Sequence, residues 1–281
     1  MNKAVYILLV CFLFAGCERP NLYSYPKDRE IVIDGKYSEW GDYVSYYSEK
    51  EKLVVNLAND KDYLYICLVS RSRRVETQIM ESGLQLWFDA DNGQRKLFGI
   101  RFPIGMRAMG MPISQKLKKD DRQVYDDNQD ALRKDDWGDK EFDKKLETIE
   151  NLQDKIELTL PNDKKMPGTG KEMLLEEANK FGVEAKLGRE KGYFVYELKV
   201  PLNITKEHPY AIGIQEDGRI GLGIEVQNSR VERVGGPVAR PTGNKDDQPD
   251  IPSDAMFGTG SSYSEENIKL WVIINLAMKG V

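Results

Sequence analysis

Histidine is almost missing from this chain of 281 residues, with His208 the only one. Catalysis by Ser/His/Asp or Cys/His groups needs an imidazole beside the nucleophile. His208 precedes Pro209 with no serine or cysteine motif next to it, so it reads as a satisfied surface side chain. A zinc site built from several histidines is excluded by count. No Gly-rich phosphate loop opens a helix. Positive charge is not in excess either: 41 Lys and Arg face 46 Asp and Glu, for a formal charge of −5. Without a basic field to collect phosphates, nucleic acid is not a partner. Carboxylates are plentiful, but nothing in their spacing selects the opposed pair that a glycosidase needs, and the chain reads as non-catalytic.

Cysteine is also scarce, at three residues, and the position of one of them is informative. Lys3 is followed by the apolar run Ala4–Phe14, then by the small pair Ala15-Gly16 directly before Cys17. These are the parts of a secretory signal, and the run is too short to span a bilayer. Leu13-Phe14-Ala15-Gly16-Cys17 resembles the bacterial lipobox, although Phe14 is bulkier than the aliphatic residue that pattern prefers. The resemblance implies cleavage after residue 16, acylation of Cys17 and attachment to a membrane of the bacterial cell envelope, the outer membrane in the first place; two or more acyl chains anchor stably where one does not. Residues 17–29 then read as an extended tether. Cys11 leaves with the leader, so Cys67 has no disulfide partner and reads as a buried apolar residue. Losing Lys3 brings the formal charge to −6.

Residues 30–281 read as one domain dominated by short strands. Glu30–Gly35 alternates and stops at Asp-Gly. Lys52–Ala58 and Tyr63–Ser70 are β-rich runs divided by the turn-forming Asn59–Asp62. Leu84, Leu86 and Phe88 alternate with Gln85, Trp87 and Asp89, and Asp91-Asn92-Gly93 leads into Lys96–Phe102 as a hairpin. Lys155–Leu160, Tyr193–Val200, Tyr210–Gln215, Ile220–Val226 and Ile268–Leu276 complete the series. This pattern predicts an all-β fold, an antiparallel two-sheet β-sandwich of jelly-roll type with one or two inserted helices. One helix is expected in an insertion over about 107–154, where Phe142, Leu146 and Ile149 have helical spacing. A second is expected over 169–182, with Thr169 as N-cap and Gly182 as the stop. Residues 235–262, rich in Gly, Pro, Ser and Asp, read as a long loop.

Ile33-Asp-Gly35 with Glu39-Trp40, Leu64-Tyr65-Ile66, Leu86–Gly93, Tyr196–Leu202 and Gly221–Val226 occur in an order that resembles the family 9 carbohydrate-binding modules and the wider DOMON-like β-sandwich superfamily. The resemblance implies binding without turnover, often a structural calcium, and a sugar held between tryptophans. Stacking on a pyranose needs flat aromatic faces, and its hydroxyls need polar side chains. The candidate ligand-binding residues are Trp87, Trp137, Trp271 and Arg101. Trp87 opposes Leu86 and Phe88 on its strand, and either stacks on a ligand or packs inside, as a large aromatic in a central strand usually does. Trp40 reads as structural. Asp89, Asp91 and Asn92 offer three oxygen ligands for calcium, or form a plain turn.

The expected role is therefore that of a membrane-anchored protein of the bacterial envelope that binds a carbohydrate or a glycan-bearing partner. Two other roles use the same fold. One is a structural or assembly subunit of an envelope complex with no small ligand. The other is a haem-binding electron-transfer domain, for which Met106, Met109, Met111 and His208 are the available axial ligands.

Overall fold

The computed structural model describes residues 19–108, 154–160, 170–226 and 267–277. Cys17, Trp137, Met109, Met111, Thr169, the expected helix around Phe142 and the loop over 235–262 lie outside the described residues.

The strands are β1 (Asn21–Tyr23), β2 (Tyr25–Pro26), β3 (Val44–Ser48), β4 (Leu53–Asn59), β5 (Tyr63–Ser70), β6 (Gln85–Asp89), β7 (Phe98–Arg101), β8 (Lys155–Thr159), β9 (Lys171–Leu174), β10 (Glu184–Glu190), β11 (Tyr193–Pro201), β12 (Arg219–Glu225) and β13 (Lys269–Asn275). Helix α1 spans Arg73–Ser82 and α2 spans Leu175–Lys180. A seven-stranded sheet has the order β1-β13-β12-β6-β7-β8-β9, and a six-stranded sheet the order β10-β11-β5-β4-β2 with β3 also on β4. The protein is thus an all-β two-sheet sandwich with inserted helices. Its pairings are antiparallel except for β1 on β13 and β2 on β4, which are parallel.

The core forms because strands with apolar residues at every second place bury one face. Leu86, Phe88, Phe98, Ile100, Leu222 and Val272 of the larger sheet meet Val55, Leu57, Ile66, Leu68, Tyr196 and Leu198 of the smaller one in a single cluster. A second, smaller cluster lies on the other side of the six-stranded sheet, where Ile31, Trp40 and Tyr43 cover Ala58, Tyr65, Cys67, Val69 and Val195. Cys67 is fully buried within it and unpaired.

The hairpins around Asn59–Asp62 and Asp91–Gly93 form as the turn chemistry predicts. Several expectations are corrected. Glu30–Gly35 is not a strand but an irregular cover on the six-stranded sheet, because its donors go to a side chain described below. Tyr210–Gln215 runs beside the end of β11 with a few hydrogen bonds, Ile212 N to Pro201 O among them, but no ladder. The expected helix over 169–182 is a strand in its first half, since Lys171–Leu174 extends the sheet edge beside β8 and buries Met173. Only Leu175–Lys180 is helical, and Gly182 ends it at φ +81°. Helix α1, which packs Val75, Ile79 and Met80 into the core, was not expected. Residues 19–26, read as free tether, are hydrogen-bonded strands of the body.

Both long interruptions fall between neighbouring strands of the seven-stranded sheet, β7 and β8 in one case and β12 and β13 in the other. Arg101 and Glu225, where they depart, both pair with Gln85. They therefore leave the sheet at the same end.

Candidate binding face

The register of the seven-stranded sheet brings Trp87 and Trp271 onto one line. Trp271 pairs with Gly223, Gly223 with Trp87, Trp87 with Gly99, and Gly99 with Thr159. Directly paired residues share a face, and their neighbours Leu86, Phe88, Leu222 and Val272 are in the core. The row is therefore on the outer face. Each indole lies sideways over the adjacent glycine: a Cβ on Gly99 would meet Trp87 Cζ3 at 2.5 Å, and one on Gly223 would meet Trp271 Cζ2 at 2.5 Å. Glycine at these two places is what lets the rings lie down. With one strand between them, the two tryptophans stand about 10 Å apart, twice the strand spacing.

The next row along the same face is polar throughout. Lys269, Glu225, Gln85, Arg101, Glu157 and Glu172 follow one another across six strands. Arg101 thus lies in the row next to the tryptophans. It donates through Nη2 to Ser82 O at 2.9 Å and through Nη1 to Glu157 Oε2 at 3.4 Å. Glu225 Oε1 accepts from Trp271 Nε1 at 3.2 Å, and its Oε2 accepts from Lys96 Nζ. The Lys96 ammonium also sits 5.4 Å from the centre of the Trp87 ring, a cation–π contact. Lys96, Glu225, Gln85 and Glu157 were not singled out in the sequence. For Glu225, Gln85 and Glu157 the only signal there was alternation with core residues, which marks a face without saying what it does; Lys96 precedes β7 in step with the core residue Phe98 and had no such signal.

The two tryptophans are not equally open. Trp87 is 4% exposed, belongs to neither apolar cluster, and its buried Nε1 has no hydrogen-bond partner. Trp271 is partly exposed. A buried indole N–H without an acceptor is uncommon and costs of the order of 1–3 kcal/mol.

Asp89, Asp91 and Asn92, the expected calcium ligands, form a turn already supplied with cations by the chain. Asp89 is fully buried and takes the Arg95 guanidinium through both oxygens, at 3.1 Å from Nη2 and 3.3 Å from Nε. The Arg95 backbone N–H adds a bond at 2.8 Å, and Arg95 Nη2 also contacts Asp91. Burial raises the Asp89 pKa, but the Arg95 side chain and the N–H groups of Arg95 and Asp91 outweigh it and hold the carboxyl below the usual range. Arg19 donates to the carbonyls of Gly93 and Asn92 at 2.7 and 3.2 Å. Oxygens arranged in this way do not fit a calcium ion without displacing an arginine. Among the described residues no group of three or more His, Cys, Asp or Glu could hold a metal.

The motif residues near the N-terminus converge on one carboxylate. Glu197, fully buried on β11, accepts from Trp40 Nε1 at 2.6 Å through Oε1, and from the backbone N–H groups of Gly35 and Asp34 at 2.6 and 3.0 Å through Oε2. Burial pushes its pKa up to about 7, against the pull of the Trp40 and Gly35 donors. Gly35 has φ +83°, and a Cβ there would meet Leu187 O at 2.7 Å, so only glycine fits. Trp40 is 1% exposed and structural.

His208 donates or accepts at both ring nitrogens, Nδ1 with Phe181 O at 3.0 Å and Nε2 with Tyr63 OH at 3.1 Å. Ligation of a haem iron would have to break one of these bonds. A scan against protein-family models finds none that matches this chain, and a search of curated proteins finds none that is similar.

Proposed function

We propose that the chain is a membrane-anchored, non-catalytic carbohydrate-binding lipoprotein of the bacterial envelope, acylated at Cys17, and that it binds through the outer face of the seven-stranded sheet. The observation that carries this reading is the pair of adjacent rows: two tryptophans lying flat over glycines, and beside them an unbroken line of hydrogen-bonding side chains. Flat apolar rings suit the faces of pyranoses, and carboxylate, amide and guanidinium groups suit their hydroxyls. The charged groups are matched in pairs, Lys96 with Glu225 and Arg101 with Glu157. A neutral oligosaccharide fits such a face better than an acidic one.

The mature chain should give binding on a broad glycan array. Trp271→Ala should weaken that binding at least about tenfold, the loss of one stacked aromatic, and leave the melting temperature nearly unchanged. A blank array, or undiminished binding by the variant, removes the proposal.

One observation favours the second reading, an envelope scaffold with no small ligand: the Trp87 ring is 4% exposed and so offers little face to a sugar. Glycan binding by the parent chain separates the two, since a scaffold shows none. Trp87→Ala then decides the part of this ring: a large fall in stability with glycan binding retained assigns Trp87 to packing.

A further inference from the structure

The folded body begins almost at the proposed site of lipidation. Arg19 lies two residues from Cys17, and its guanidinium is held by the carbonyls of Gly93 and Asn92. Pro20 O accepts from Ile273 N at 2.9 Å, β1 pairs with β13, and β2 pairs with β4. There is no slack in this segment. Two residues of extended chain span at most about 7 Å, so an acylated Cys17 would hold the β1 edge of the sandwich close to the bilayer.

Beside the pinned segment lies an exposed aromatic edge. Tyr23, Tyr25, Val44 and Tyr47 are 69%, 39%, 52% and 53% exposed, and they are four of the eight large apolar side chains exposed among the described residues. They border one edge of the sandwich, Tyr23 from the outer face of the seven-stranded sheet and the other three from that of the six-stranded sheet: Ser45 Oγ donates to Tyr23 O at 3.1 Å, and Tyr25 OH donates to Val44 O at 3.4 Å. Tyr25 pairs with Ala58, Val44 with Asn56 and Tyr47 with Val54. Val44 and Tyr47 are three apart and would face opposite ways in a regular strand. The register shift between Val44 and Tyr46 returns them to the same face, a common use of a bulge.

Which occupant suits this edge follows from its chemistry and its place. Tyrosine joins an apolar ring to a polar tip and is enriched where hydrocarbon meets water at a membrane surface. Three tyrosines with a single aliphatic residue match that layer, and the acylated Cys17 on the same edge brings the layer to them. Tyr23 is four residues beyond Arg19, about 14 Å of strand, within easy reach of the bilayer that holds Cys17.

We propose that the anchored protein lies with this edge on the membrane, the side chains of Tyr23, Tyr25, Val44 and Tyr47 resting among the phospholipid headgroups. The inference depends on acylation of Cys17 and is independent of glycan binding. It turns the opposite edge of the seven-stranded sheet, where β9 lies, away from the bilayer.

The test is hydroxyl-radical footprinting, read by mass spectrometry, of the full acylated chain in vesicles of phosphatidylethanolamine and phosphatidylglycerol. The reference is the Cys17→Ser chain in buffer, which leaves the edge itself unaltered. On vesicles, Tyr23, Tyr25 and Tyr47 should be labelled several-fold less, while Leu174, 47% exposed at the far edge of the seven-stranded sheet, should be labelled equally in both. Equal tyrosine labelling on chains that float with the vesicles overturns the orientation and leaves the anchor standing. A wild-type chain from the envelope that does not float overturns the anchor and the orientation together. Protection that persists after lipid is replaced by detergent assigns the edge to a protein partner and also overturns the proposal.

Discussion

The outer face of the six-stranded sheet is closed by the chain's own residues between Ile31 and Tyr43, whereas that of the seven-stranded sheet carries Trp87 and Trp271 over glycine gaps with a charged row alongside. The first face is apolar beneath its cover, with Ala58, Cys67, Val69 and Val195 needing protection from water. Its cover has no ladder of its own, so a buried carboxylate at Glu197 collects the donors that would otherwise go unpaired. The second face is polar along one row and aromatic along the next. The same fold thus treats one tryptophan, Trp40, as a fastening, lays Trp87 buried over a glycine and leaves Trp271 partly exposed. The difference is in the neighbours: Trp40 points its N–H at Glu197, while Trp87 leaves its own without a partner.

Breaking the closed face should have the largest effect. Trp40→Ala removes a fully packed indole and one of the donors to Glu197, and should cost about 3–5 kcal/mol, read as a shift in the urea unfolding midpoint. A loss under about 1 kcal/mol would mean that the cover is ornamental. Glu197→Gln is milder, since an amide keeps one acceptor but sets its NH₂ against a facing N–H; about 1–3 kcal/mol is expected.

The same variant sharpens the comparison through pH. The Glu197 pKa is raised from 4.5 to about 7 in the folded state, so the folded protein binds a proton more readily than the unfolded chain between those values. The stability this contributes is complete below about pH 4.5 and is lost as pH rises through 7. Melting temperature should therefore fall across that window more in the parent than in Glu197→Gln. Parallel profiles would show that Glu197 does not titrate there.

The open face should respond to a smaller change. Gly223→Ala places a methyl 2.5 Å from Trp271 Cζ2, so the indole must lift from the sheet. About 1–2 kcal/mol of stability should be lost, as for overpacking, with glycan affinity falling by more than that cost implies. Unchanged affinity with a lifted ring would show that the flat arrangement is not what binds.

Much of this fold is legible in the sequence, and the omissions have identifiable causes. Strand alternation placed Leu84, Leu86 and Phe88 inward and Trp87 outward, and the Asn/Asp turns placed two hairpins. Tertiary hydrogen bonds account for Glu30–Gly35, whose expected ladder is replaced by Glu197, a residue distant in sequence. Sheet extension accounts for Lys171–Leu174, where pairing with β8 overrides a helical composition. Helix α1 is short and highly charged, with its apolar residues confined to Val75, Ile79 and Met80, too few to stand out by period. For the candidate site, Trp87, Trp271 and Arg101 could each be assigned to an outward face locally. Their assembly into adjoining rows needs the register of β13, β12, β6 and β7, which no local signal contains. The calcium reading of Asp89, Asp91 and Asn92 missed Arg95 and Arg19 for two reasons: the first is only six residues on but folds back, and the second stands 74 residues before Gly93.

The pairing of β1 with β13 has a consequence in time as well as in space. Asn21 meets Ile273 and Tyr23 meets Asn275, so the first strand has its sheet partner in the last. A chain that emerges N-terminus first must deliver the 254 residues that follow Asn21, as far as Asn275, before that pairing is complete. Throughout this delivery the leading ribbon stays without its sheet partner and accessible to processing.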